Sequence, residues 1–145
     1  MTEPAWRDVA TLDVLDLIAQ LARRCDFGAV DDYMALIAND GVWEMPDNPQ
    51  VGLAASRRAG LAAIRAGVEE RRAAGLQGPG TNTLHIVGSV AVDVLDATSA
   101  RARSYWLYYA DIERSPVLRS VGQYDDAFTR PAQQWKLGHR CITLG

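Results

Sequence analysis

Two residues of this chain have the chemistry of a proton-transfer site, His85 and Asp26. His85 is one of two histidines and sits in Thr81-Asn82-Thr83-Leu84-His85-Ile86-Val87-Gly88, at the start of a run that reads as a long strand. Asp26 closes a helical pattern roughly sixty residues upstream. An unperturbed imidazole titrates at about 6.5. Beside a carboxylate that sets its tautomer and steadies its protonated form, it can take and return a proton near neutrality. In an apolar enclosure such a pair can remove a proton beside a carbonyl and deliver it elsewhere. Elimination, double-bond isomerisation and aldol-type cyclisation all need only that, with no metal and no organic cofactor. Each residue alone has a blander role: a core histidine satisfied by a buried acid, and a helix-end aspartate serving in capping or solvation. The pair becomes a site only if the fold joins a strand to a helix end.

The elements that must do this are legible in outline. Thr11 reads as an N-cap, followed by the stripe Leu12, Val14, Leu15, Leu17, Ile18, Leu21 and Ala22, which fades at Asp26 before Phe27-Gly28. Val30, Tyr33, Met34 and Ile37 then fall at i, i+3, i+4, i+7, with Asp31 and Asp32 in the first turn of a second, short helix. Asn39-Asp40-Gly41 reads as a turn and Val42-Trp43-Glu44-Met45 as a short strand stopped by Pro46. Residues 46–60 read as loop. A third helix runs from Leu61 through Ile64, Val68 and Arg71-Arg72 to near Gly75, and Gly78-Pro79-Gly80 punctuates. Four long strands follow, Thr83 to Leu95, Ala100 to Asp111, Pro116 to Arg130 and Gln134 to Leu144, as an antiparallel meander. Helices first and sheet second predict an α+β domain, with the helices on one face of a curved antiparallel sheet.

Bulk properties narrow the function. With 145 residues the chain predicts a single domain over residues 1–145, residues 1–10 forming a loosely ordered arm. A net charge of −3 with no basic face argues against nucleic acid as a partner. The chain shows no signal-peptide-like run and no apolar stretch of the roughly 20 residues that span a bilayer, which predicts a soluble, cytoplasmic protein without a membrane partner. Cys25 and Cys141 lack CxxC spacing and read as reduced thiols filling core positions, not as metal ligands.

The strands carry apolar residues on both alternating sets. Trp106 and Tyr108 oppose Tyr105, Leu107 and Tyr109; Leu84, Ile86, Val90, Val92 and Val94 oppose His85, Val87 and Ala91. A sheet wet on one face alternates more cleanly, so the pattern predicts a second covered surface, a homodimer interface on the outer sheet face, with strand ends buried under loops as the blander alternative. Asp125-Asp126 reads as a solvated pair at a sheet edge, since neighbours on a strand point to opposite faces. His139 reads as structural or interfacial, Glu69-Glu70-Arg71-Arg72 as the solvated side of the third helix, and Arg57-Arg58 as surface charge ahead of a contact for an acidic substrate.

In their order and spacing, the Asp-ended helix, "DDYMALIANDGVWEMP", "TNTLHIVGSVAVDV", "ARARSYWLYYAD", "SVGQYDDAFTR" and "QWKLGHRCITLG" resemble the SnoaL-like group of the nuclear transport factor two-like superfamily, over Thr11 to Leu144. The resemblance implies a cone-shaped α+β barrel whose curved sheet wraps a long helix around a deep, mostly apolar pocket. Its members include polyketide cyclases, scytalone dehydratase, bile acid dehydratase, limonene epoxide hydrolase and ketosteroid isomerase, as well as non-catalytic proteins. In the dehydratases an Asp ending the first helix pairs with a His early in the first long strand, the positions of Asp26 and His85. Those enzymes also carry a Tyr several residues before that Asp, where this chain has Leu21-Ala22-Arg23, which counts against a straight dehydratase. Met45 stands where the isomerase base would fall, which counts against that reaction, and the Asp–Arg–Asp set of the epoxide hydrolase cannot be assembled. The resemblance turns Trp106 and Tyr108 inward, and with Trp43 and Tyr124 they are the aromatic wall expected for a flat, hydrophobic, cyclic ligand. A cofactor-free lyase or isomerase is the first expectation, a non-catalytic ligand-binding or accessory protein the second.

Overall fold

The computed structural model describes residues 3–145. Its elements run α1 (Glu3–Phe27), α2 (Val30–Met34), β1 (Ile37–Met45), β2 (Ser56–Ala59), α3 (Leu61–Ala73), β3 (Thr83–Val94), β4 (Ser99–Ala110), β5 (Val117–Thr129) and β6 (Lys136–Leu144). The six strands form one curved, open sheet in the order β2-β1-β6-β5-β4-β3, antiparallel except for the parallel β1–β6 pair. The expected α+β class and four-stranded meander are present. None of the helices described is long and apolar enough to cross a membrane.

Four local readings change. The first helix does not start at Thr11: α1 already runs from Glu3, so residues 3–10 are helix instead of an arm, and residues 1–2 lie outside those described. Thr11 sits mid-helix with its hydroxyl donating to the Arg7 carbonyl at 2.9 Å, satisfied by the preceding turn. Leu12 (65% exposed) and Leu15 (37% exposed) face away from the sheet, and the buried stripe is Ala10, Val14, Leu17, Ile18 and Leu21. Each fully buried Val, Leu or Ile there contributes about 1.5–3 kcal/mol, which is what holds α1 to the sheet.

Ile37 belongs to β1, not α2. It pairs with Leu137, and Leu137 N–H donates to the Leu36 carbonyl at 2.9 Å, so parallel pairing with β6 overrides the helical spacing. The expected turn at Asn39-Asp40-Gly41 is a bulge inside β1, where the register shifts between Ile37 and Val42. A Cβ at Gly41 would stand 2.7 Å from Ile37 Cγ2 and 2.9 Å from the Ala38 carbonyl oxygen, so glycine is required. Finally, the stretch read as loop contains β2, an edge strand paired with β1 at Trp43–Arg58 and Glu44–Arg57.

A bulge in β3 decides which of its side chains face the helices. The ladder to β4 slips between Gly88 and Ala91, with Ser89 at φ 49°. Before it Thr83, His85 and Val87 pair with Ala110, Tyr108 and Trp106; after it Val92 and Val94 pair with Ala102 and Ala100. The inward set therefore changes parity along the strand, which accounts for part of the two-sided apolar pattern without a second covered surface. Along β4 the inward residues pass from Ala100, Ala102 and Ser104 to Trp106 and Tyr108. At the small-residue end α1 packs down with Val94, Phe128, Trp135 and Leu137 into a continuous core. Toward the aromatic end the layers part.

Candidate functional site

There the concave face encloses a cavity of about 220 Å³, floored and walled by α1, α3, β1 and the inward residues of β3 to β6. Asp26 lies in the last turn of α1, which ends where the Gly28 N–H donates to the Arg24 carbonyl at 3.0 Å. Arg72 of α3 reaches across to the carbonyls of Gly28, Arg24 and Cys25 at 2.9, 3.2 and 3.2 Å. A cation on the open carbonyls of a helix C-terminus is favourable, and it pins the turn that carries Asp26.

The structure brings Asp26 and His85 together. Asp26 is 1% exposed, and its two carboxylate oxygens face one residue. Oδ2 accepts the His85 backbone N–H at 2.7 Å and Oδ1 meets His85 Nδ1 at 2.7 Å. With its carboxylate held by the backbone N–H, Asp26 sets Nδ1 as a donor, leaving Nε2 as the bare nitrogen. Among the described residues Nε2 has no hydrogen-bond partner, and His85 lines the cavity. The ring lies 5.0 Å from that of Tyr108, its cross-strand neighbour. Asp26 itself does not line the cavity.

All four expected wall aromatics line it: Trp43, Trp106, Tyr108 and Tyr124. Trp106 and Tyr124 stack at 6.0 Å, and Trp106 lies against Gly122, where any Cβ would strike its indole and the Thr143 carbonyl. The Tyr108 hydroxyl donates to the Leu76 carbonyl at 2.7 Å, tying the segment after α3 to the rim.

Several residues in and around the wall stand differently from the sequence expectation or beside it. Asp126 is no solvated acid: it is 1% exposed and accepts both Arg140 Nε and Nη2 at 2.8 Å, while Asp125, on the outer face, meets Arg101 at 3.5 Å. Burial alone would push the Arg140 guanidinium down, but the Asp126 carboxylate more than offsets this and holds it above its usual range. Its carbon lies 3.8 Å from the Tyr124 ring centroid. Arg71 is not on a solvated helix face; it lines the cavity, as do Gln77, Cys25 and Tyr33. The signal for Asp126 was its shared strand set with Tyr124, and for Arg71 its place three residues past Val68 on the buried stripe of α3. Arg57 and Arg58 pair with Glu44 and Glu70 away from the cavity. His139 Nε2 meets Glu44 at 3.0 Å on the outer face, where Cys141 also lies instead of filling the core.

Burial keeps three acidic groups of the wall protonated. It pushes the Tyr124 phenol up to about 12 against the opposing pull of Arg140. It raises Tyr33 well above its ordinary value and, joined by the Asp26 charge, raises the Cys25 thiol to about 12. Cys25, Asp26 and His85 offer ligand atoms within 4.8 Å of one another. A metal there would have to deprotonate that thiol and displace the bond between Asp26 and the His85 ring, so the donor set fits a metal poorly.

The SnoaL-like domain matches residues 9–141. No curated protein sequence matches the chain. The fold is similar to that of a cystatin-like protein of unknown function from Nostoc punctiforme, at a TM-score of 0.76 and 16% identity, covering 93% of this chain and 90% of that one. It is similar to a scytalone-dehydratase-like protein from Novosphingobium aromaticivorans (TM-score 0.76, 20% identity, 98% and 88% covered). It is also similar to ActVI-ORFA from Streptomyces coelicolor (TM-score 0.68, 21% identity, 93% and 97% covered). At such identities the likeness concerns the fold alone.

Proposed function

This chain belongs to the SnoaL-like family, and we propose that it is a small-molecule enzyme of the lyase or isomerase type, in which His85 is the general base and then acid for a hydrophobic cyclic substrate. The observation that carries the reading is the His85–Asp26 pair: a buried carboxylate on Nδ1 and a bare Nε2 at the wall of an apolar cavity. Nε2 takes a proton from the carbon beside a substrate carbonyl, and the C–H electrons pass into the enolate. Asp26 stabilises the imidazolium so formed. The proton then goes to a departing hydroxyl in elimination, to another carbon in isomerisation, or to the alkoxide formed when the carbanion attacks a second carbonyl in cyclisation. Trp43, Trp106, Tyr108 and Tyr124 hold the ring. The sequence places no tyrosine before Asp26, and Leu21-Ala22-Arg23 there favours the second reading, a non-catalytic binder of the same ligand class.

Two further parts of the reading concern its setting. The outer face carries Ile86, Tyr105 and Val121, 46%, 55% and 43% exposed, around Leu107, and this patch suits a homodimer contact. Free Cys25 and Cys141 suit a reducing cytoplasm.

The test is proton exchange. β-Tetralone in deuterium oxide, followed by NMR, is expected to exchange its acidic ring protons faster with the wild-type chain and at the background rate with His85→Ala, the fold unchanged by circular dichroism. Equal rates for the two proteins would reject the acid/base role and leave the binding reading.

A further inference from the structure

The cavity holds two guanidiniums whose charges are treated differently. Arg140 has its counter-charge inside the protein, in the bidentate pair with Asp126. Arg71 makes no ion pair among the described residues, whereas Arg65, Arg58 and Arg72 are each taken up by carboxylates or carbonyls. Arg65 pairs with Asp31 and Glu69, Arg58 with Glu70, and Arg72 is taken up by the carbonyls ending α1. The buried stripe Ile64, Gly67 and Val68 continues to Arg71 at helical spacing and turns its side chain to the cavity, where its guanidinium carbon stands 5.0 Å from the Trp43 ring centroid.

A second, independent observation points to a ligand. Gln77, 4% exposed and also lining the cavity, is an amide satisfied at one end only. Its Oε1 accepts from Arg71 Nε at 3.2 Å, which fixes the amide orientation, and its Nε2 is buried with no acceptor among the described residues. A buried amide N–H is costly unless something brings an oxygen to it, and this one stands beside a half-buried cation that has no counter-charge among the described residues. Among the described residues only Nε of Arg71 is used, which leaves Nη1 and Nη2 for that.

We propose that Arg71 and Gln77 form an oxyanion subsite, so that the ligand of this cavity is an aromatic or alicyclic carboxylate. The carboxylate lies on the Arg71 fork and Gln77 Nε2, and the ring lies along Trp43 and Trp106, with its reacting carbon turned to His85. One guanidinium and one amide N–H satisfy the two oxygens of a carboxylate. A phosphate would leave a third charged oxygen among apolar side chains. The proposal deepens the reading of this cavity as the ligand site, and it concerns binding rather than proton transfer.

Isothermal titration of the full chain with cinnamate and with cinnamamide, its neutral counterpart, reads the preference. Cinnamate is expected to bind about ten- to a hundred-fold more tightly, the range of one charge-assisted contact. Arg71→Met and Arg71→Gln, each checked by thermal melting, remove the preference. Arg71→Lys keeps part of it, and Gln77→Met reduces it by a smaller factor. Cinnamamide binding as tightly as cinnamate, a preference that survives in a folded Arg71 variant, or no binding of either probe at millimolar concentration overturns the subsite. In His85→Ala the preference persists whether or not His85 moves protons, so the two proposals fail separately.

Discussion

Replacing Asp26 by asparagine keeps the shape of the side chain and exchanges one acceptor oxygen for a donor. In the native site both oxygens accept, one from the His85 backbone N–H and one from Nδ1, each at 2.7 Å. The amide has two ways to sit. With its oxygen on Nδ1, its NH2 group faces the backbone N–H, and two donors meet at a position 1% exposed. With its oxygen on the backbone N–H, its NH2 group faces Nδ1, which must then give up its hydrogen. A peptide N–H cannot change its role and an imidazole can, so the second arrangement prevails and the hydrogen moves to Nε2. Two charge-assisted bonds become two neutral ones, a loss of about 2 kcal/mol in stability, or about 4–8 °C in Tm for a chain of this size. Turnover, which needs a bare Nε2, falls by roughly ten-thousand-fold, as the same tautomer change does in a Ser-His-Asp triad. Long-range proton–nitrogen NMR correlation reads the tautomer without any substrate: hydrogen on Nδ1 in the native chain, on Nε2 in Asp26→Asn. The same tautomer in both, or an unchanged Tm, would refute the reasoning.

Other outcomes follow from the same geometry. Asp126→Ala strands a buried guanidinium and is expected to cost about 3–5 kcal/mol by urea denaturation, whereas Asp126→Leu with Arg140→Met costs much less; equal losses would show that the pair is not what the site needs. Gly122→Ala drives a methyl into the Trp106 indole and the Thr143 carbonyl. It is expected to cost about 1–3 kcal/mol or more and to alter the near-ultraviolet circular dichroism of Trp106. A native spectrum and native Tm would be the contrary result. Burial holds the Cys25 thiol and the Tyr124 phenol up at about 12. The folded chain therefore keeps protons that the unfolded chain releases near its ordinary values of about 8.5 and 10. Their contribution to stability is whole below about pH 8.5 and is lost as pH rises toward 12. Urea midpoints are expected to fall between about pH 8 and pH 11, less steeply in Cys25→Ala, and a flat profile would contradict the burial argument.

Much of the fold was legible because it is written in short-range pattern. The four long strands and their turns came from composition and alternation, and each boundary lies within two residues of the observed one. The misreadings share a cause, an interaction with a distant segment. Ile37 follows helical spacing until β6 pairs with it, and Ser56–Ala59 carries no strand signal of its own but becomes one beside β1. Thr11 is a good N-cap residue that a longer helix absorbs.

The site divides in the same way. By itself the sequence determined which side chains were available: one imidazole at a strand start, one carboxylate at a helix end, and aromatics on a common strand set, because residue type and local period are properties of adjacent positions. Tertiary structure alone decided what they do to one another. It set both Asp26 oxygens on His85 across 59 positions. The β3 bulge turned His85 to the cavity while Val92 and Val94 stayed in the core. Asp126 was withdrawn from solvent to neutralise Arg140, and Arg71 was left in the wall without a carboxylate among the described residues. Burial and charge pairing depend on which segments meet, and no local window of the chain contains that information.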